Sequence, residues 1–206
     1  PQTRPRLRTR GSPWAVAQAH EARRRVAQAS ELPDAGFGVV VVKTTGERIQ
    51  DRPLREIGGK GLVTREIEQD LLSGAIDIAV HSMKDMPVLQ PDGLVLSTYL
   101  PREDVRDALI CPTVSDLDDL PAGALVGTSS LRRKAQVLLR RPDLTVVEFR
   151  GNVQTRVKKI EAGVARCTFL AMAGLNRLHL TDIAATPVAP EEMLPAGAEG
   201  AQGIDQ

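Results

Sequence analysis

Aromatic residues are nearly missing from this chain. Phe, Tyr and Trp together supply 2% of its 206 positions, with a single Trp and a single Tyr. Its core must therefore be built from Val, Leu, Ile and Ala. Cysteine is also scarce: Cys111 and Cys167 stand far apart in apolar surroundings. They form no CxxC and no zinc spacing, so they read as buried structural thiols in a reducing compartment. His20, His81 and His179 make no ligand pair, and no metal site is expected. No apolar run is long enough to span a membrane. The basic start, Pro1 to Arg10, lacks the apolar stretch of a signal peptide. Net charge is only +1, which argues against a general nucleic-acid or membrane binder. A cytoplasmic monomer with a small-molecule substrate is the expectation.

What is present is ordinary in amount but not in kind. Apolar residues at 42% and charged residues at 26% suit a globular chain of one large or two small domains. The cations, however, are 21 Arg against 6 Lys. Arg is the better fork for carboxylates and phosphates, although high genomic GC content would give the same bias.

Strand and helix patterns alternate along the chain. Arg6 to Thr9 is a short strand candidate. Ser12-Pro13 opens a helix whose Ala15, Ala19, Ala22, Val26 and Ala29 share one face. Phe37 to Val42 reads as a strand covered on both faces. Gly58-Gly59-Lys60-Gly61 reads as a flexible loop leading to a helix with Val63, Ile67 and Leu71 on one side, stopped by Gly74. Ile76 to Val80 is a buried strand, and Gly93 to Tyr99 another. Pro101 to Asp104 marks a crossing between domains. A second series follows. It has apolar Ala108 to Ile110 and strands at Ala124 to Gly127, Thr145 to Phe149 and Thr168 to Met172. Helices begin after Thr128-Ser129-Ser130 and Asn152, and a short one runs to about Leu180. From Thr181 the chain is rich in Ala, Pro and Gly. The expected fold class is α/β: two lobes with mixed sheets flanked by helices and a cleft between them.

The chemistry-bearing residues fall at strand ends, where open α/β sheets bind ligands. Asp85 follows the strand ending near Val80, beside Lys84 and before Pro87. It could be a reacting carboxylate or an Asx-turn residue, and Lys84 could be a solvated charge. His81 reads as a packed histidine. Arg132 and Arg133 occupy the first turn of a helix, where the macrodipole disfavours cations. With the hydroxyls of Thr128, Ser129 and Ser130 and free backbone N–H groups they would make an anion receptor, unless both arginines simply point to solvent. Arg150-Gly151-Asn152 with Arg156, and Arg10 with Ser12, repeat that theme. Arg102 and Arg106 read as structural partners of Glu103, Asp104 or Asp107. An acid among many fixed cations suits a polyanionic substrate that gains positive charge as it reacts.

Several stretches resemble the hydroxymethylbilane synthase (porphobilinogen deaminase) family. They are RTRGSPWAVAQ (Arg8 to Gln18), KTTGERI (Lys43 to Ile49), GGKGLVTREIE (Gly58 to Glu68), IDIAVHSMKDMP (Ile76 to Pro87), REDVRDAL (Arg102 to Leu109), VGTSSLRRKAQ (Val126 to Gln136), RGNVQTR (Arg150 to Arg156) and LAMAGLNRL (Leu170 to Leu178). The resemblance implies an enzyme joining four porphobilinogen units head to tail, with loss of ammonia, to give 1-hydroxymethylbilane. The arginines would then meet the acetate and propionate groups of the growing chain. It assigns Asp85 as the catalytic residue. Arg10, Ser12, Lys84, Arg132, Arg133, Arg150, Arg156 and Arg177 become substrate- and cofactor-binding positions. Thr128, Ser129, Ser130, Gly151 and Asn152 would line the same site, with Ser82 and Gln18 as neighbours.

The family fold implies a first lobe at about 1–100, rejoined by 197–206, and a second at 101–196. Both would resemble periplasmic binding proteins. Its dipyrromethane cofactor is carried by a cysteine of a third domain, which is expected to be absent here; neither Cys111 nor Cys167 matches the anchor. LPAGAEGAQGI (Leu194 to Ile204) stands where the family has LPAVGQGA, and Trp14 and His179 replace a smaller apolar residue and a glycine. A non-catalytic relative binding carboxylated pyrroles or small anions is the alternative. A transcription regulator's effector lobe shares the architecture, but no helix-turn-helix segment is evident.

Overall fold

The computed structural model describes residues 5–31, 33, 36–42, 61–180 and 183–206. The KTTGERI segment and Gly58 to Lys60 of the glycine loop lie outside them. The chain divides into two compact units, Pro1–Arg102 with Gly200–Gln206, and Glu103–Glu199.

In unit 1 the described strands are β1 (Arg6–Arg10), β2 (Gly38–Val42), β3 (Ile78–Ser82), β4 (Thr98–Tyr99) and β10 (Gln202–Asp205), in the spatial order β2-β1-β3-β10-β4. β1 runs parallel to β2 and β3, whereas β10 is antiparallel to β3 and β4. The α-helices of this unit among the described residues are α1 (Pro13–Ala29) and α2 (Gly61–Leu72). α1 begins where its sequence dictates: the Ser12 hydroxyl accepts from the Ala15 N–H at 3.2 Å, and Pro13 needs no N–H partner. Side-chain alternation along β3 joins the two faces. Val80 packs with Leu7, Ile204 and the small Ala19 and Ala22 of α1, while Ala79 packs with Ile67 of α2.

Unit 2 repeats the plan with β5 (Asp107–Ile110), β6 (Leu125–Gly127), β7 (Thr145–Val147), β8 (Cys167–Ala171) and β9 (Ala185–Pro187), in the order β7-β6-β8-β5-β9. β6 is parallel to β7 and β8, and β5 is antiparallel to β8 and β9. Helices α3 (Leu131–Arg140), α4 (Val153–Glu161) and α5 (Met172–Arg177) flank the sheet. Leu109 and Cys111 point to the layer containing Val137 of α3; Ala108 and Ile110 point to the layer containing Val153 and Leu175. The α/β class with mixed, helix-flanked sheets is thus realised in each unit. Among the described residues, no helix is long and apolar enough to cross a membrane.

Two strand expectations need correction. β2 is not covered on both faces: it lies at the sheet's edge, and Val40 and Val41 are exposed. Of the strand expected over Gly93 to Tyr99, Thr98–Tyr99 forms the regular strand β4, and Val95 exchanges two backbone hydrogen bonds with Gln206. β9 and β10, in the Ala/Pro/Gly-rich tail, were not foreseen from local pattern.

Both sheets share one feature that positions the site. The first parallel strand lies between the second and third, so the crossovers leave in opposite directions. This creates a topological switch point at the carboxyl ends of β1 and β3, and another at those of β6 and β8.

Candidate functional site

The unit 1 switch point carries the acid. β3 is buried and ends at Ser82, and a 3-10 turn, Met83–Asp85, carries the chain out of the sheet. Asp85 is partly exposed, and its Oδ2 lies 3.4 Å from Nη2 of Arg10, the last residue of β1. The Ser82 hydroxyl donates to Oε1 of buried Gln18 at 3.0 Å, tying the strand end to α1. Lys84 Nζ lies 4.7 Å from the centroid of the Trp14 ring. Arg10, Ser12, Gln18, Ser82, Lys84 and Asp85 therefore share one end of the unit 1 sheet.

Behind this turn sits a buried polar pair. His81 is 6% exposed, and its Nε2 lies 3.9 Å from Oδ2 of fully buried Asp205 on β10. Burial, with a smaller contribution from Arg10, lowers the His81 pKa to about 4. Burial raises that of Asp205 to about 6; the Gln206 backbone N–H opposes this, and Glu68 adds to it.

The unit 2 switch point gathers donors. Ser130 caps α3, accepting from the Arg133 N–H at 3.4 Å. Thr128 Oγ1 accepts from Ser130 N–H at 3.2 Å, and Ser129 Oγ from Phe149 N–H at 3.0 Å. These bonds use the hydroxyl oxygens as acceptors and leave their hydrogens for donation. Gly127 ends β6 directly beneath the Phe149 ring: a Cβ there would come 2.5 Å from the ring carbons. After β7, Asn152 caps α4 by accepting from Thr155 N–H at 2.8 Å. Gly151 has φ +124°, and a Cβ would press on Thr155.

Arg156 donates from Nε to the Gly151 carbonyl at 2.9 Å. Its pKa is lowered to about 10, first by burial and then by the like charges of Arg133 and Arg150, against the opposing pull of Glu148. Lys159 donates to the Arg150 carbonyl at 3.0 Å. Such a concentration of positive charge is stabilised by a bound anion. Arg177 ends α5, after β8, and its charge helps to lower the Glu103 pKa, behind hydrogen bonds from the Asp104 backbone and Asn176.

Arg133 is tied into unit 2 by its own hydrogen bonds. It is 6% exposed and donates to Asp107 from Nε at 3.0 Å and from Nη2 at 2.6 Å, and to the Phe169 carbonyl from Nη1 at 2.9 Å. Arg132 adds a bond of 2.7 Å to the same carboxylate. Neither arginine simply points to solvent, as the alternative reading had it. Burial alone would raise the Asp107 pKa, but the Arg133 hydrogen bonds and both guanidinium charges hold it below the usual carboxylate range. Removing one partner of such a buried pair costs about 3–5 kcal/mol. Arg133 thus takes part in an internal ion pair with Asp107. Sequence reasoning did not find this, because Asp107 offers no local signal beside Arg106. Arg106 itself pairs with Asp104 at 2.7 Å.

Cys111 and Cys167 are free and buried. Burial, with a smaller effect of Cys111, pushes the Cys167 thiol up to about 12. Among the described residues, no group of three or more His, Cys, Asp or Glu could hold a metal ion.

Solved structures share this arrangement of two α/β units. A periplasmic sulfonate-binding protein, SsuA, of Methylobacillus flagellatus KT superposes with TM-score 0.51 at 15% identity, covering 98% of this chain and 60% of that one. An ABC transporter protein from Parabacteroides distasonis gives 0.52 at 17%, covering 99% and 66%. These likenesses show the fold: periplasmic-binding-protein-like.

Sequence similarity is more specific. Residues 6–206 match the family model described as porphobilinogen deaminase, dipyromethane cofactor binding domain. Porphobilinogen deaminase of Paracoccus denitrificans (strain Pd 1222) is 61% identical over 206 residues, all of this chain and 66% of its own length. The chloroplastic porphobilinogen deaminase of Oryza sativa subsp. japonica is 56% identical over 201 residues, 97% of this chain and 56% of its own length. The chain belongs to the porphobilinogen deaminase family, and it spans less than two thirds of the length of these relatives.

Proposed function

We propose that this chain carries the reacting centre of a hydroxymethylbilane synthase. In this reading it condenses four porphobilinogen units head to tail, each losing ammonia, and one water adds to the last methylene carbon to give 1-hydroxymethylbilane. The observation that carries the reading is the placement of Asp85 at the β1/β3 switch point, with one carboxylate oxygen against Arg10.

Each condensation breaks the bond between the aminomethyl carbon and nitrogen of porphobilinogen, and the nitrogen leaves as ammonia. The azafulvene left behind is electron-poor. Asp85 accepts a hydrogen bond from the pyrrole N–H and stabilises the positive charge that develops. A new C–C bond then forms to the free α-carbon of the neighbouring pyrrole, whose proton must depart; Asp85 is placed to receive it. Arg10 fixes the carboxylate's orientation. Lys84 is proposed to hold a substrate carboxylate at the unit 1 strand ends, and Ser129, Ser130, Arg150, Asn152 and Arg156 are proposed to hold acetate and propionate groups at those of unit 2. Arg132 and Arg177 contribute charge to that unit. Arg133, paired with Asp107, is proposed to support the α3 N-terminus as well as to add its charge to the site.

The residues fit a dipyrromethane non-covalently: arginine, lysine and hydroxyl groups can donate to its carboxylates, and Asp85 is an acceptor for pyrrole N–H groups. When bound, that group supplies the electron-rich pyrrole on which the product chain grows. They do not fit its covalent attachment, because both thiols are buried and hydrogen-bonded or deprotonate only with difficulty. The reducing cytoplasm is the proposed setting, which two free, buried thiols suit.

The test is bilane formation from porphobilinogen, with and without the remaining domain of a relative supplied separately. Turnover with that domain, lost by at least about 100-fold in Asp85→Ala at an unchanged unfolding midpoint, is the expected result. Porphobilinogen bound without ammonia release in either arrangement would favour a non-catalytic binder instead.

A further inference from the structure

We propose that Trp14 is a positioning residue of this site, whose indole face holds the Lys84 ammonium in place beside Asp85. The inference rests on the reading of the Asp85 turn given above.

Trp14 lies in the first turn of α1, and Gly11 and Ser12 alone separate that helix from Arg10 at the end of β1. The turn carrying Lys84 leaves β3, the strand next to β1. The short connection brings the indole to the ammonium at 4.7 Å, within the range of a cation–π interaction, for which Trp is the best ring.

Local stability alone would not choose a tryptophan here. Its Nε1 is buried without a hydrogen-bond partner among the described residues. An unsatisfied buried donor destabilises a fold, and Phe or Leu would avoid it. The chain nevertheless spends its single tryptophan at this point, in a sequence with 2% aromatics. Broken local rules of this kind concentrate at functional sites.

The benefit is preorganisation. A lysine head rides on a flexible four-carbon stem and loses much freedom when it grips a carboxylate. A ring face that already holds the ammonium removes part of that loss. Asp85 meanwhile takes Arg10 as its ion partner, so the acid and the anion-binding ammonium are each restrained by a different neighbour.

Porphobilinogen affinity is measured by calorimetry on the 206-residue chain, together with the thermal midpoint. Trp14→Phe is expected to weaken binding about two- to fivefold without lowering the midpoint, and Trp14→Leu about tenfold. In a Lys84→Met background, Trp14→Leu is expected to add no further loss, since the two residues act through one contact. Unchanged affinity in both single variants overturns the proposal. So does an equal loss with and without Lys84, or an affinity loss in Trp14→Phe matched by a falling midpoint. Absence of binding to the unsubstituted chain removes the underlying reading of the site, and this inference with it.

Discussion

His81 and Asp205 face one another, both buried, with pKa values displaced in opposite directions, and the signs decide what acid does to unit 1. The folded pKa of His81, about 4, lies below its ordinary 6.5. Between those values the unfolded chain takes up a proton that the folded chain refuses, so stability falls as pH falls. The folded pKa of Asp205, about 6, lies above its ordinary 3.8. There the folded chain takes the proton, and stability rises as pH falls. From pH 6 to 4 the two slopes, each at most about 1.4 kcal/mol per pH unit, oppose one another. Urea unfolding should show Asp205→Asn losing stability across this window more steeply than the unsubstituted chain. Parallel profiles would show that the pair is not what balances them. Nothing local in the sequence announces this pairing. His81 reads there as a packed histidine, and its partner arrives on a strand from the far end of the chain.

The elements whose ends are set by their own residues were legible. Ser12-Pro13, Ser130 and Asn152 cap α1, α3 and α4 as their chemistry requires. β10 was not legible as a strand, because Gln202–Asp205 has a single large apolar residue and exists by pairing with β3 and β4. The Lys84–Trp14 contact is likewise created by neighbouring strands, not by spacing. The end of α5 shows a third situation. Leu180 N–H bonds to the Leu175 carbonyl at 3.0 Å and His179 N–H to that of Asn176 at 3.1 Å, the Schellman pattern. Leu175 and Leu180 also share one apolar cluster. This ending needs a left-handed residue, and His179 supplies it at φ 52°. Replacing His179 with glycine, the residue of the resembled family, should stabilise unit 2 by about 1 kcal/mol. A denaturation midpoint that stays put or drops would refute that strain account.

At the scale of the whole chain, the two units differ in how they are assembled. Unit 2 is continuous, Glu103–Glu199, while unit 1 needs Gly200–Gln206 to fill the position between β3 and β4. A fragment of residues 103–199 is therefore expected to unfold cooperatively by circular dichroism. A fragment of residues 1–102 should lack a cooperative transition until a peptide of residues 200–206 is added. Cooperative melting of 1–102 alone would mean that β10 is dispensable.

Trp14 and Tyr99 both belong to unit 1, leaving unit 2 only Phe149 and Phe169 among its aromatics. Excited at indole wavelengths, the molecule is half dark: emission follows the loosening of one half, whereas far-ultraviolet ellipticity sums over both. Any gap between those two optical curves would measure how far the halves melt independently.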